Sequence, residues 1–499
     1  MDDETALNHF SNINKLLGDI IIKYGKQYKN DKICYEIDVS KIGMAWRLPI
    51  KRIIFYNFFA ESSKANFDYY LNEFLKNNER YIKDNLETDV PILNILEKIV
   101  DEFTNNFRDY IIPIAILGVV QGYSKIKILL EKYMKEKPEL YQDFNNLTKS
   151  LPFITIKMGL DLYKLTKFLD KSEYKKKSQD QFYNDFINKK FPKDFYSDYE
   201  LFIKNYGFRG EGELDIKNER YSENQKSIIN QIYSSLLMTD ENNNPQKDFD
   251  DTNTNRPNAY KKLLDFAKEK GFDYEFEEAY KNMINFFHYR ESPKYYIIFV
   301  IGKMRELVLK RANILLEKNL IDDIKDIYKL NINSLSHILK NVNSYTKEKI
   351  LDQMHKDNEL NEIFSSWKRF SIVFDSRGRI FSQERKPTDK KNELIGDTVS
   401  FGKIRGKAKV LNYLDEKVFN PGEILITKAT DPGWTPLIIN CGGIVLEVGG
   451  MLQHGALVSR EFNKPCVVGI ENVTKIIKDG EEIEVDAKEG VVRLLDREE

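Results

Sequence analysis

The pattern of the chain changes abruptly near residue 390, and this change limits the possible folds most strongly. Before it, apolar residues recur at helical spacing between charges, and glycine is scarce. After it come short β-rich runs bounded by glycines, with one helical stretch among them, His454–Phe462. At 499 residues the chain is also longer than one hydrophobic core usually serves. We therefore predict a multidomain protein, in which a large, mainly α-helical domain is followed by a compact α/β domain.

The same pattern gives the expected domain boundaries. The helical domain is predicted over residues 1–385, where stretches such as Tyr295–Lys318 have helical periodicity. A strongly polar stretch, 239–257, is predicted to be a loop that divides this domain into two halves. Residues 386–397 are also polar and are predicted to be a linker. The C-terminal domain then covers 398–499.

Composition argues against several kinds of partner and location. Lys and Arg number 77 and Asp and Glu 78, so the net charge of -1 predicts no affinity for nucleic acid or an anionic membrane. The most apolar run, Tyr110–Val120, contains Pro113 and is about half of the roughly 20 residues that a spanning helix needs. The start, MDDETALNHF, has no apolar signal-peptide core, and the three cysteines form no CxxC pair. We expect a cytoplasmic protein.

His454 is the strongest candidate for chemistry. A strand predicted over Ile444–Val448 ends at Gly449 and Gly450, where the backbone is free to turn tightly and expose its amides. Four residues later, His454 stands at a predicted helix start, where unpaired N–H groups and the helix dipole favour a phosphate dianion. A neutral imidazole there can attack phosphorus and hold the group as a phosphoramidate. Spacing alone equally allows a structural histidine.

The C-terminal motifs resemble a known family. DPGWTPL, GGxxxHGAxVxRE and KPCVVG look like the mobile phosphohistidine domain of the phosphoenolpyruvate-utilising enzymes. These include phosphoenolpyruvate synthase, pyruvate phosphate dikinase and rifampicin phosphotransferase, and the phrase GEILITKATDPGWTPL resembles the last branch most. The likeness covers roughly residues 395–499. It implies a swivelling domain in which His454 is phosphorylated, and it overrides the structural alternative.

The resemblance also suggests contacts for the phosphohistidine. Thr435 is expected to hydrogen-bond it, and the amides of Gly449 and Gly450 are expected to contact the phosphate. Arg460, six residues into the helix, is a further candidate phosphate contact, with a surface salt bridge as the alternative. The residue before the histidine is often Ser, Thr or Cys in the family, whereas here it is Gln453. This departure puts in doubt any role that needs a hydroxyl or thiol there.

Two patches of the helical region are similar to the same family. YGFRGEGELDI (206–216) resembles a GHRGPGELDL segment, with Phe208 in place of the family's histidine. That change puts an acid–base role at 208 in doubt, but Arg209 and Glu213 are retained and are expected at the substrate or transition state. YRESPKYYIIFVIGKMREL (289–307) resembles an RExxK helix start, which contains Arg290 and Lys294.

Physical reasoning on the second patch leaves two readings open. Ser292 and Pro293 are favourable at the N-cap and first turn of a helix, so Arg290 and Lys294 are predicted near its N-terminus. Two cations there can neutralise a transferring phosphoryl group. The alternative is a charged helix face in which these cations pair with Glu291 or Glu306.

The resemblance implies a phosphotransferase subunit. No GxxxxGK loop or strand–GxGxxG–helix unit is visible, and nothing at the start of the chain resembles the family's ATP-grasp domain. We therefore expect a dikinase-type enzyme with no cofactor or metal of its own. A separate ATP-grasp protein would supply ATP and Mg²⁺ and phosphorylate His454, which would then serve a small-molecule acceptor bound by the helical domain.

Alternatives and one mechanical expectation remain. One alternative is a non-catalytic relative that binds a ligand or acts as a partner-binding regulatory protein. Another is phosphoenolpyruvate as the phosphoryl donor through another partner. A histidine that visits two sites requires its whole domain to move. We therefore expect a modest and polar interface between the two domains.

Overall fold

The computed structural model describes residues 73–366 and 392–495, apart from short gaps of which the longest are 107–113, 239–243 and 449–453. It also describes a pair of two-residue strands between these ranges, β1 (Val373–Phe374) and β2 (Ile380–Phe381), which are antiparallel. Most of the first range is helical and the second contains a sheet. The predicted fold class is confirmed.

The helical domain consists of amphipathic helices that bury their apolar faces in shared cores. Among the described residues, no helix has the length and apolar content needed to cross a bilayer. The α-helices, in chain order, are α1 (Ile92–Asn106), α2 (Lys125–Met134), α3 (Glu139–Thr148), α4 (Ile154–Thr166), α5 (Lys171–Tyr174), α6 (Gln179–Ile187), α7 (Lys193–Tyr206), α8 (Gln225–Met238), α9 (Pro245–Lys270), α10 (Asp273–Phe286), α11 (Ser292–Glu317), α12 (Ile332–Lys340) and α13 (Lys347–Ser366). Short non-α turns join them, namely a π-helix (Leu117–Ser124) and 3₁₀ turns (Phe287–Glu291, Ile324–Lys329, Val342–Ser344).

Helix α9 corrects the predicted loop at 239–257, because most of that stretch is helical. The Asn244 side chain accepts hydrogen bonds from the backbone of Gln246 and Lys247, with Pro245 in the first turn. The helix ends at Gly271, which has φ of 74°. Its apolar positions near the C-terminal end pack into the core, so tertiary burial overrides the polar composition of its first half.

The π-helix packs backbone to backbone against α10. A Cβ on Gly118 would lie 2.3 Å from the backbone of Phe286, and one on Gly122 would lie 2.7 Å from that of Met283. Only glycine permits this approach. It fixes the π-helix beside the 3₁₀ turn that follows α10, where Arg290 lies.

The C-terminal domain contains an eight-stranded sheet whose order is β3-β10-β9-β5-β6-β7-β8-β4. The central strands β5, β6, β7 and β8 run parallel, and the outer pairings are antiparallel. The elements are β3 (Glu393–Ile395), β4 (Asp397–Ser400), β5 (Lys403–Val410), β6 (Ile424–Thr427), α14 (Thr435–Asn440), β7 (Gly443–Leu446), α15 (His454–Glu461), β8 (Cys466–Val468), α16 (Val473–Ile476), β9 (Glu482–Asp486) and β10 (Val491–Leu494).

Strand β3 shows that the end of the predicted linker belongs to the folded domain. Its residues pair with β10, and Arg493 donates to Glu393 at 3.0 Å. The linker prediction is therefore wrong for 393–397, since the partner strand is almost 100 residues away and invisible to local composition. Residues 386–391 of the predicted linker lie outside the described residues.

Alternate residues of the central strands face two different layers. Ile444 and Leu446 of β7 point towards α14 and α15, whereas Val445 points towards α16. The α14–α15 layer continues directly into the core of the helical domain, which includes Phe153 and Ile156. The domain is thus docked on α4 and α8 through α14.

The centre of this interface is apolar, which contradicts the expected polar interface. A Cβ on Gly159 of α4 would lie 2.2 Å from Ile439 Cδ1 and 3.1 Å from Thr435 Cγ2, so α14 lies directly on the helical domain. Ile439 is buried. Polar contacts surround this centre: Tyr221 donates to the Gly433 carbonyl at 3.1 Å. Local sequence pattern does not reveal this interface, because α14 packs on α4, which is distant in the chain.

Candidate active site

His454 and Thr435 meet at one edge of the parallel sheet. Thr435 is the first residue of α14, which follows β6, and His454 is the first residue of α15, which follows β7. Because β6 and β7 are adjacent and parallel, the helices that follow them begin at the same edge. Thr435 Oγ1 and His454 Nε2 are hydrogen-bonded at 2.9 Å.

The helix start at His454 is as expected, but the imidazole is partly buried and not exposed. Thr435 is fully buried and can hold the ring in one orientation. Gly449 and Gly450, which were expected to contact the phosphate, lie outside the described residues.

The helical domain presents three cations to His454, which we call the cation cluster: Arg209, Arg290 and Lys294. All three line the same cavity as the imidazole. Burial lowers the pKa of His454 well below its usual range, and three positive charges lower it further, those of Lys294, Arg209 and Arg290. The structure thus brings together side chains from the two separate patches of the helical domain and from the C-terminal domain. A neutral imidazole among cations suits a group that gains a phosphoryl dianion.

Glu213 lies behind the cation cluster. Its Oε2 accepts from Arg209 Nε at 2.6 Å and its Oε1 from Arg209 Nη2 at 2.9 Å. Lys294 Nζ lies 3.5 Å from the same Oε1. Glu213 is 1% exposed and does not line the cavity, although Arg209 and Lys294 do. The expected substrate contact from Glu213 is therefore not seen, and its visible role is to bind two cations.

Arg290 forms the ion pair of the alternative reading and also lines the cavity. Its Nη2 lies 3.3 Å from Glu291 Oε1, and Glu291 also accepts a hydrogen bond from Thr155. Its Cζ lies 5.1 Å and 5.4 Å from the ring centres of Phe153 and Phe287, which hold the guanidinium between them. The Nε of Arg290 is buried without a hydrogen-bond partner among the described residues. The salt bridge therefore coexists with a guanidinium that faces the cavity.

The helix that carries Lys294 begins differently from the expectation. Ser292 was predicted as its N-cap, but the N-cap position is occupied by Glu291, and the 3₁₀ turn runs into α11 without a side-chain cap. Pro293 lies in the first turn, as expected. Arg290 thus belongs to the turn and Lys294 to the helix, so two backbone conformations position the two cations.

Two further residues can be placed. Arg460 lines the cavity, and its Nε donates to the Val399 carbonyl at 3.1 Å.

Phe208, where the family has histidine, packs edge-on against Tyr295 and Phe299 at 5.0 Å and 5.3 Å. It also contacts the backbone of α11 closely at Gly302. Phe208 therefore serves packing.

The cavity between the two domains has a volume of about 1370 Å³. The cation cluster and His454 form part of its wall, and aromatic rings from the helical domain form another, including Tyr123, Phe153 and Phe287. Sequence reasoning missed these rings and Thr155, because they come from a π-helix, a helix entry and a 3₁₀ turn. It named Glu291 as an ion-pair partner but not its hydrogen bond from Thr155. Within the described ranges, no cluster of three or more His, Cys, Asp or Glu could hold a metal ion.

The lowered pKa of His454 predicts a pH-dependent interface. When the domains separate, the imidazole regains water and leaves the cations, so its pKa returns towards about 6.5. Above that pH His454 is neutral in both the docked and the separated protein, so protonation does not reduce the free energy of docking. As the pH falls below it, the separated state takes up a proton that the docked state does not, so docking weakens.

Small-angle scattering at pH 7.5 and 5.5 should therefore show more open particles at the lower pH. His454→Gln, which cannot titrate, should lose this part of the response. An NMR titration that places the His454 pKa near 6.5 in the docked protein would contradict the argument.

Comparison with known proteins agrees with this site. Residues 419–490 match the model of the PEP-utilising enzyme mobile domain, and residues 111–291 match that of the rifampicin phosphotransferase fourth domain. The chain is 33% identical over 301 residues to rifampicin phosphotransferase of Bacillus cereus, covering 59% of this chain and 34% of that protein. Identity to the Bacillus subtilis rifampicin phosphotransferase is 31% over 301 residues, with the same coverage.

A second group of relatives matches a shorter part. The phosphoenolpyruvate synthase of Aquifex aeolicus is 36% identical over 176 residues, which are 34% of this chain and 20% of that protein. The chain spans about a third of the length of the rifampicin phosphotransferases that it matches. The C-terminal domain is therefore a PEP-utilising enzyme mobile domain, and the helical domain before it contains a rifampicin phosphotransferase fourth domain.

Proposed function

We propose that this chain is a phosphotransferase in which His454 carries a phosphoryl group to a small-molecule acceptor in the cavity. The observation that supports this most is the position of a neutral, hydrogen-bonded imidazole opposite the cation cluster. A nucleophile, a ring-orienting hydroxyl and charges that neutralise a phosphoryl group are the parts such a transfer needs.

The proposed chemistry has two steps. A ring nitrogen of His454 attacks the donor phosphorus, a P–N bond forms, and the remainder of the donor leaves. The acceptor oxygen then attacks the same phosphorus, so that a P–O bond forms as the P–N bond breaks and its electron pair returns to the imidazole. The acceptor's proton passes to the departing imidazole. The cation cluster stabilises the charge on the equatorial oxygens in this second step.

For the first step we propose ATP with Mg²⁺ as the donor, bound by a separate ATP-grasp protein, in a dikinase-type reaction. His454 attacks the β phosphorus and AMP leaves. Water then takes the γ-phosphoryl group as inorganic phosphate, so the β-phosphoryl group stays on the imidazole. The docked C-terminal domain places His454 in the wall of the cavity together with the cation cluster, which favours delivery. A donor bound elsewhere requires the domain to leave, and alternation between two sites keeps the two reactions apart.

The test is to mix the chain with a candidate ATP-grasp protein and ATP labelled separately at the β or γ position. Label on His454 from the β position supports a dikinase-type donor reaction. Stable label from the γ position alone would replace it by an ordinary kinase-type reaction, because a dikinase-type reaction loses the γ-phosphoryl group to water. No label on His454 from either position would contradict the proposal and favour a non-catalytic, ligand-binding relative.

Charge reversal in the cation cluster should separate the two steps. Lys294→Glu should slow delivery to the acceptor by about 10²-fold, because it replaces a stabilising charge beside the transferred phosphoryl group by a repulsive one. Phosphorylation of His454 by the partner should be unaffected, since Lys294 belongs to the helical domain. The measurement is the rate of label transfer in each half-reaction.

The matched control is Lys303→Glu on the same helix, whose lysine pairs with Glu306 and does not line the cavity. It should leave both rates near those of the unmodified protein. Equal losses in both half-reactions for Lys294→Glu would mean that this residue is structural or binds the partner.

A further inference from the structure

The loop between α7 and α8 carries a chain of alternating charges that begins at the cation cluster, where it is buried, and becomes exposed at Glu223. Arg209 leads to Glu213, which lies near Arg220. Arg220 in turn lies near Glu223, whose carboxylate accepts from Arg305 Nε at 2.8 Å and Nη2 at 2.7 Å. Two carboxylates thus stand among four guanidinium or ammonium groups once Lys294 is included, so positive charge is in excess.

The backbone of this loop is fixed on both sides. The Tyr221 amide donates to the Arg209 carbonyl at 2.8 Å, which closes the loop on itself. From α11, Arg305 Nη1 donates to the Ile216 carbonyl at 2.7 Å. The loop therefore presents Arg209 and Glu213 from a rigid frame, and the remaining freedom of Arg209 lies in its side chain.

Glu213 removes that freedom. Both of its oxygens bind the guanidinium of Arg209, in the bidentate geometry that restricts a guanidinium most. Because Oε1 also lies 3.5 Å from Lys294 Nζ, one carboxylate connects the loop cation to the α11 cation. Tyr295 supports the other side, with its ring centre 5.8 Å from Arg209 Cζ.

Arg220 is 2% exposed, and its Nη2 donates to the Asp215 carbonyl at 3.3 Å. Its Nε and Nη1 have no hydrogen-bond partner among the described residues. Burial and Arg305 lower the pKa of Arg220, and the carboxylates of Glu213 and Glu223 oppose that lowering. Burial of the Arg220 guanidinium costs solvation free energy. This cost is explained if the positive charge of Arg220 is needed beside Glu213.

We propose that Glu213 is the positioning residue of the transfer site, which fixes Arg209 and Lys294 to each other so that they receive a phosphoryl group without rearrangement. Glu213 touches neither phosphate nor acceptor, and Arg220 supports it from behind. The role in transfer rests on the proposed function, but the positioning itself can be tested with inorganic phosphate as the ligand. Hydrogen-bond donors that are already fixed stabilise a phosphoryl group more than mobile donors do, because they need not reorganise when the group binds.

The test is whether Glu213→Gln strengthens or weakens the binding of inorganic phosphate. Glu213→Gln removes a negative charge beside the cation cluster, so simple electrostatics predicts tighter binding of inorganic phosphate. Positioning predicts the opposite: about tenfold weaker binding, as expected when two charge-assisted hydrogen bonds lose their fixed geometry. Titration calorimetry on the full chain gives the affinity. Unchanged or tighter binding would overturn the proposal.

Glu223→Gln is the matched control. It makes the same substitution in the same charge chain, but its partner Arg305 does not line the cavity. Phosphate affinity should stay within about twofold, since no cation of the cavity is released. An equal loss in both variants would mean that the charge chain only maintains the fold, which overturns the positioning role.

A double-mutant cycle shows whether Glu213 acts through Arg209. In an Arg209→Met background, the further change Glu213→Gln should reduce phosphate affinity much less than it does alone. Additive losses would overturn the proposal. If Glu213→Gln does not fold, Glu213→Asp keeps the charge but draws it back by one methylene. It should still weaken phosphate binding, and unweakened binding would overturn the proposal.

The two proposals fail separately. Absence of label on His454 from any donor would end the proposed function and leave the phosphate affinities as they are. Normal phosphate affinity in Glu213→Gln, together with labelled His454, would end the positioning role alone.

Discussion

Replacing His454 by alanine is expected to abolish phosphoryl transfer. The imidazole is the proposed nucleophile in the first step and the leaving group in the second, and alanine can be neither. The fold should survive, because His454 is only partly buried and loses one hydrogen bond, to Thr435. Such a loss costs about 1 kcal/mol. The measurements are label transfer in both half-reactions and the melting temperature.

His355→Ala is the matched control, since His355 is exposed on α13 and away from the cavity. It should transfer normally. The phosphorylated species of the unmodified chain should be acid-labile and stable in alkali, as a phosphoramidate is. Mass spectrometry that placed the phosphate on Thr435 or Ser459 would show that the nucleophile is wrongly assigned.

The second large effect is expected at Gly159 of α4, where α14 packs beside Thr435. Even a Cβ there would lie 2.2 Å from Ile439 Cδ1, so leucine requires α14 to leave its place on α4. Gly159→Leu should therefore prevent docking of the C-terminal domain. Delivery to the acceptor should fall by at least about 100-fold, because displacement by even 1 Å costs that much. Phosphorylation by the partner should persist.

A space-restoring variant provides the control for Gly159→Leu. Combining it with Ile439→Ala removes the atoms that clash, so docking and delivery should partly return. Distances between fluorescent labels on the two domains would report docking directly. If the single variant stays docked and delivers normally, the close packing of α4 and α14 is not what positions His454.

The sequence was most informative where function depends on local pattern. His454 was placed at a helix start by a strand–glycine–glycine pattern, and Arg290 and Lys294 were placed near a helix start by a proline and a resemblance. Such features involve only a few consecutive residues. That Arg209 would lie beside Lys294 followed from neither pattern, because it depends on how a loop packs against α11.

The structural features that local sequence could not predict depend on contacts between residues that are distant in the chain. Strand β3 exists because β10 pairs with it, whereas the polar residues that precede it in the chain indicate a linker. The apolar interface exists because Gly159 leaves room for Ile439, and a lone glycine in a helical pattern does not reveal its neighbour. Helix α9 was taken for a loop because its polar first half gives no periodic signal, although Asn244 and Gly271 mark its ends.

The glycines of the π-helix have a consequence for the range of acceptors. Val119 and Tyr123 line the cavity, while Gly118 and Gly122 of the same helix set its distance from α10. A methyl group on either glycine would push this wall away from α10 without changing any residue that an acceptor touches. The width of the cavity thus depends on residues that do not line it. A lineage could widen or narrow its choice of acceptor through these two positions and keep the cations and His454 intact.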